Sequence, residues 1–194
     1  SQHLSAGWAE GYERWLRARG VTTNTVTFHL RNLRAVYNRS VKKRLIPASF
    51  PNPFTHLTVR QTVTRKRALS RETIKRICTA DLSALHPKYS LARDIFMFSF
   101  FTRGMSFVDM AYLKRSDVSD STLTYCRRKT GQTLSIGWEQ QMQAIVDRNA
   151  TEKATSYLLP LITREDGTER TQYESKMQQV NRHLKKIGQQ LGLP

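Results

Sequence analysis

The stretch Tyr89 to Arg103, YSLARDIFMFSFFTR, constrains the fold more than any other part of the sequence. Leu91, Ile95, Phe96, Met97, Phe98, Phe100 and Phe101 are spread round every side of a helix, and a helix apolar all round is stable only when other elements cover most of it. Its longest nearly apolar run, Ile95 to Phe101, is far short of the ~20 residues that cross a bilayer, so the cover is protein rather than lipid. The pattern predicts a central, buried helix. Directly after it stand Arg103 and Gly104. An arginine at that point has to leave apolar surroundings with its guanidinium aimed at an anion, because an unpaired buried charge is very costly. An ion pair with Asp109 is the structural alternative.

The elements around this helix follow from periodicity. Leu4, Trp8, Tyr12, Trp15 and Leu16 predict an amphipathic helix that stops at Gly20. A second begins after Thr23-Asn24, either of which caps it, and places Val26, Leu30, Leu33, Val36, Tyr37 and Val41 inward. Pro47, Pro51 and Pro53 then break the rhythm. Residues 58–67, TVRQTVTRKR, read as a basic linker. Ser70 caps a helix running to about Ala80, and Ser106 restarts one after Gly104. Thr122 to Arg128 and Thr133 to Ile136 alternate about Thr130-Gly131-Gln132, which predicts a β-hairpin. A helix from Glu139 to Arg148 follows, and Tyr173, Met177, Val180, Leu184, Ile187 and Leu191 mark a last helix ending at Gly192. The fold class is mainly α with a small β-hairpin or sheet, α+β, in two domains.

Charge narrows the function. The formal net charge is +17, and residues 1–67 carry thirteen Lys and Arg against two acids, while residues 68–194 carry nineteen against thirteen. Such a field attracts polyanions, and nucleic acid rewards each neutralised phosphate by releasing counterions. The outer face of the second helix, Arg31, Arg34, Asn38, Lys42 and Lys43, has almost no balancing acid, which points to phosphate contact. Arg65, Lys66 and Arg67 in the linker fit a tether lying across a duplex. Arg127, Arg128, Lys129 and Thr130 sit at the hairpin tip, where cations reach a groove or a phosphate. Cys78 and Cys126 lack metal-ligand or disulfide spacing, so neither a metal site nor a scaffold of bridges is expected. No signal or membrane-spanning pattern is present, so the expectation is a soluble, intracellular protein.

Taken together, residues 24–41 (NTVTFHLRNLRAVYNRSV), 52–54, 66–69, 92–118 (ARDIFMFSFFTRGMSFVDMAYLKRSDV) and 125–137 (YCRRKTGQTLSIG) resemble the tyrosine recombinases, the phage-type integrases of mobile elements. The resemblance implies a SAM-like, helical core-binding domain at 1–60, a basic linker at 61–68 and the first part of a catalytic domain at 69–194. It places Arg103 on the first catalytic arginine, holding oxygens of the scissile phosphate, Asp109 on the acidic position that orients it, and Lys129 on the hairpin lysine that protonates the departing 5′ oxygen. Arginine is a poor general acid because its pKa stays above about 12, which selects Lys129 over its two neighbours. The resemblance further implies a 3′-phosphotyrosyl intermediate with no cofactor, double-stranded DNA as partner, a tetramer on paired sites and a cytoplasmic, nucleoid-associated location.

The match runs out before the family's His-x-x-Arg box and its nucleophile. His183 begins His-x-x-Lys and reads as a surface residue, and Tyr173 falls on an apolar stripe as a core residue. The expectation is therefore a fragment cut at both ends, monomeric, that binds DNA without cleaving it. A non-catalytic DNA-binding regulator or accessory protein of a mobile element is the alternative. An RNA-binding protein is weaker, since no aromatic stacking platform is evident.

Overall fold

The computed structural model describes residues 4–55, 62–64, 68–82, 85–150 and 155–193. The chain divides into two units, Ser1–Ala68 and Leu69–Pro194.

In the first unit, α1 (Ala6–Ala18) and α2 (Thr23–Lys42) enclose a core of Ala9, Leu16, Val26, Leu30, Tyr37 and Phe54. Ser5 caps α1 by accepting the Trp8 N–H. Thr22 stands at the start of α2, and Asn24 has a different task from capping. Its Oδ1 accepts the Thr62 N–H at 2.9 Å while its Nδ2 donates to the Thr62 carbonyl at 3.0 Å. The proline-rich turn closes over Tyr37, whose hydroxyl donates to the Phe50 carbonyl and whose ring meets Phe54 edge-on at 6.0 Å. Three inward assignments are corrected. Trp8 and Trp15 are 40% and 48% exposed, and Val36 is 63% exposed. Small Ala9 and Leu16 face α2 instead, and Trp8, Tyr12 and Trp15 stack on one another along the outside at 5.6 and 5.9 Å. An exposed aromatic row is therefore present after all.

The second unit is built round α4 (Lys88–Phe101), which packs on α3 (Arg71–Cys78), α6 (Gln140–Arg148) and α7 (Glu169–Gln190). Phe98, Ile95 and Ala92 are almost fully covered, whereas Phe100, at the last turn, is half exposed. Asp94 is buried among apolar neighbours and is matched by Arg93, Arg148 at 3.2 Å and the Asn149 amide at 2.8 Å, which ties α4 to the end of α6. The short helix α5 (Phe107–Ala111) and a 3-10 turn (Arg115–Asp117) lead into an antiparallel sheet of order β1 (Val118–Ser119), β2 (Thr122–Cys126), β3 (Thr133–Gly137). The predicted hairpin is present with Tyr125 opposite Leu134, shifted by a residue or two at its ends. β1 was not foreseen: Asp120 and Ser121 make its two-residue turn, both at positive φ, without the glycine that signals such turns.

His183 is also corrected. It is 7% exposed, with its ring 4.7 Å from that of Tyr89 across the α4–α7 contact. Burial depresses its pKa, and Lys88, Arg182 and His86 press it the same way against the opposing effect of a backbone hydrogen bond. A base depressed in the folded state is neutral there, so its share of stability is whole above the unfolded value of about 6.5 and fades as pH falls below it. Melting temperature is expected to drop between pH 7 and 5 in the wild type and to drop less in His183→Gln. Equal drops in calorimetry would show that His183 is not the group responsible.

Candidate functional site

Helices α1, α2, α4 and α7 all end on a residue in the left-handed region with a pair of closing hydrogen bonds, and at α4 Gly104 (φ 86°) follows in the same region. At α1 and α7 that residue is glycine, Gly20 (φ 74°) and Gly192 (φ 64°). At α4 it is Arg103 (φ 60°), whose N–H donates to the Phe100 carbonyl at 3.1 Å, while the Gly104 N–H reaches back to Ser99 at 2.7 Å. Arg44 (φ 59°) ends α2 identically. A side chain in this conformation costs on the order of 1 kcal/mol against glycine. The strain at Arg103 is held by what flanks it. Thr102 is buried with its hydroxyl on the Phe98 carbonyl at 2.7 Å, and Ser99 donates to the carbonyl of buried Met105 at 2.9 Å. Arg103 is thrown outward and exposed, and among the described residues no carboxylate pairs with it.

Asp109 therefore does not orient Arg103 through an ion pair. It is 3% exposed, and its two oxygens are occupied elsewhere. Oδ2 accepts the Ser106 hydroxyl at 2.6 Å, and Oδ1 accepts the backbone N–H of Arg128 at 2.9 Å. Ser106 in turn caps α5 by accepting the Asp109 N–H. One carboxylate thus joins the segment after Arg103 to the base of the hairpin turn, nineteen residues further on.

The three cations of the hairpin turn have three different surroundings. Leu123 and Tyr125 of β2 face inward, and Arg127 continues their two-residue alternation, so it is half-buried. It lines a cleft of about 250 Å³ together with Arg103, Ser106 and Tyr125. Arg128 is pinned twice: its N–H by Asp109, and its guanidinium carbon 3.8 Å over the ring of Tyr112. That ring is braced by Tyr157 and Tyr173 at 6.0 and 5.6 Å, which makes Tyr173 a packing residue. Lys129 and Thr130 lie exposed in the turn, which Gly131 closes at φ 69° by donating to the Arg127 carbonyl. Arg127, and not Lys129, is the hairpin cation that shares the cleft with Arg103. Tyr125 was not singled out from sequence, although its parity with Leu123 was readable there. Burial and then the Asp109 carboxylate raise its pKa, against a smaller lowering by Arg127, so its hydroxyl keeps its proton.

On α2, Arg31, Arg34, Asn38 and Lys42 are exposed in one row, and Lys43 follows as the exposed residue that ends the helix. Arg65, Lys66 and Arg67 lie outside the described residues. Among the described residues no group of His, Cys, Asp and Glu could hold a metal ion, and no helix is long and apolar enough to cross a membrane.

Residues 2–57 match the family model of the phage integrase SAM-like domain. Solved structures of lambda integrase are similar to this chain in fold. A dimer bound to a COC′ core site superposes with a TM-score of 0.65 at 15% identity, covering 92% of this chain and 65% of that one. A tetramer bound to a Holliday junction gives 0.66 at 15% identity, covering 94% and 52%. The chain has the lambda integrase fold. The expected SAM-like helical domain is matched over residues 2–57, and the expected integrase-like α+β fold is matched by the solved structures. The chain spans 65% or less of the length of these integrase chains. No curated protein matches the sequence.

Arg103→Gly is expected to relieve the left-handed strain and raise the melting temperature by roughly 2–4 °C, about 1 kcal/mol for a unit of this size. Arg103→Ala keeps a Cβ at the same φ and should not raise it. Thermal melts in which alanine stabilises as much as glycine would contradict a strain held for the sake of the side chain.

Proposed function

We propose that this chain carries the DNA-gripping and phosphate-holding part of a tyrosine-type site-specific recombinase or integrase. One observation carries the reading: a strained arginine, without an ion-pair partner among the described residues, lines a cleft that holds a second cation and no acidic residue in its lining. Transfer of a phosphoryl group between oxygens builds up negative charge on the non-bridging oxygens, and a fixed guanidinium fork stabilises that charge without having to reorganise. Arg103 has this role.

Lys129 has the role of general acid. An ammonium on an exposed turn, with no carboxylate paired to it among the described residues, can give its proton to a departing 5′ oxygen, which a guanidinium cannot do near neutral pH. The attacking group in this chemistry is a tyrosine hydroxyl that becomes linked to the 3′ phosphate. The phosphodiester energy is kept in that link, so rejoining needs neither ATP nor metal. Tyr125 lies in the cleft yet retains its proton, which suits donation of a hydrogen bond better than attack.

The exposed row Arg31, Arg34 and Lys42 grips the duplex backbone, fixing position without reading bases. The lambda integrase structures matched here are bound to a core site and to a Holliday junction, and we extend double-stranded DNA as partner, and assembly on paired sites, to this protein on the strength of the shared fold and charge.

Binding of the chain to a duplex should weaken steeply with salt, and each of Arg31→Ala, Arg34→Ala and Lys42→Ala should lower the slope of log K against log salt by about 1. Fluorescence anisotropy showing no binding, or binding indifferent to salt, would contradict the reading. In a protein that combines this chain with an attacking tyrosine, Lys129→Ala should slow cleavage by roughly 10²–10⁴. A 5′-bridging phosphorothiolate, whose leaving group needs no proton, should restore the rate; a lasting defect on that substrate would remove Lys129 from the role.

A further inference from the structure

The cleft beside Arg103 is electrostatically unfinished. Arg103 and Arg127 both line one concavity of about 250 Å³. Among the described residues neither has an ion-pair partner or a side-chain hydrogen bond. The nearest acid, Asp109, has both oxygens committed to Ser106 and to the Arg128 backbone. Like charges that line one cleft repel each other, and an anion between them removes that repulsion. The Tyr125 hydroxyl adds a third donor: the ring is buried, and the hydroxyl has no protein acceptor among the described residues.

We propose that Arg127 is the second arm of the anion clamp, so that Arg103 and Arg127 grip one phosphate together, with the Tyr125 hydroxyl donating to a further oxygen. The proposal rests on the recombinase reading for its substrate, a DNA phosphodiester, and goes beyond it in naming which hairpin cation touches the anion. The strand itself places that arm. The alternation that buries Leu123 and Tyr125 delivers Arg127 to the same side, one step beyond the last paired residue, Cys126. Asp109 and Tyr112 fix Arg128 in a different direction and stop the turn from rolling over. Lys129 is left to the proton. The clamp thus separates two tasks that one lysine would otherwise share: holding charge, which needs a group that never deprotonates, and giving up a proton, which needs one that does.

The test is a titration of this chain with inorganic phosphate, followed by the Nε–Hε signals of its arginines in NMR spectra. Signals of Arg103 and Arg127 are expected to move along one common curve. Arg127→Gln should weaken phosphate binding at least tenfold, Lys129→Gln less than twofold, and the Arg103→Gln/Arg127→Gln pair should be no weaker than twice the worse single variant, because the two act on one ion. Separate curves for the two arginines, or a larger loss in Lys129→Gln than in Arg127→Gln, would overturn the proposal. The wild-type curves decide the matter even if Arg127→Gln disturbs the hairpin. Duplex binding measured on the same samples separates the two claims. A common curve without duplex binding keeps the clamp and removes the recombinase reading; duplex binding with separate curves does the reverse.

Discussion

The buried carboxylate of Asp109 is the interaction on which the rest of the site depends. It satisfies three things at once: the hydroxyl of Ser106, the backbone of Arg128 and its own need for partners in a place with almost no water. Hydrogen bonds to a charged acceptor contribute about 1.5–3 kcal/mol each, and leaving such a group buried without them costs more than that. The arrangement is therefore close to all-or-none. With it, the end of α4 and the turn of the hairpin become two walls of one cleft. Without it, no other hydrogen bond among the described residues holds the turn to α5, and only the stacking of Arg128 on Tyr112 would remain.

Strain and packing are complementary here. Arg103 occupies a backbone conformation that glycine fills at the ends of α1 and α7. The cost is held by an over-determined neighbourhood: two hydroxyls before the arginine, of Ser99 and Thr102, bonded to backbone, a buried methionine after it, and a helix buried at Ala92, Ile95, Met97 and Phe98 leading into it. A side chain that starts from such a backbone has little freedom in its first bonds, which preorganises the guanidinium before any anion arrives. Arg44 ends α2 with the same geometry on the basic helix of the first unit.

Much of this was legible in the sequence, for reasons that can be located. The central helix declared itself because apolar residues on every side leave no other solution, and the hairpin because two alternating runs flank a Thr-Gly turn. Arg103 was singled out by its place directly after that helix. What was not legible depends on tertiary partners. Nothing in the spacing of Arg103 and Asp109 says that the acid turns away to a backbone N–H nineteen residues on. His183 looked solvated because its neighbours Arg182, Lys185 and Lys186 are polar, yet it faces Tyr89 across the α4–α7 contact. Trp8 and Trp15 belong to the apolar stripe that the helical spacing predicts, and such residues usually pack inward, whereas here the contact with α2 takes Ala9 and Leu16. β1 was missed because its turn uses Asp120 and Ser121 in place of glycine.

The most direct test of the account is amide hydrogen exchange at Arg128, an exposed residue in a turn, which local exposure alone would leave fast to exchange. The bond to Asp109 predicts an Arg128 N–H protected well beyond that of Lys129, with the protection lost in Asp109→Ala while the amides of Ile145 and Val146 in α6 stay slow. Fast exchange at Arg128 in the wild type, or protection that survives the removal of the carboxylate, would show that Asp109 does not join the two walls of the cleft.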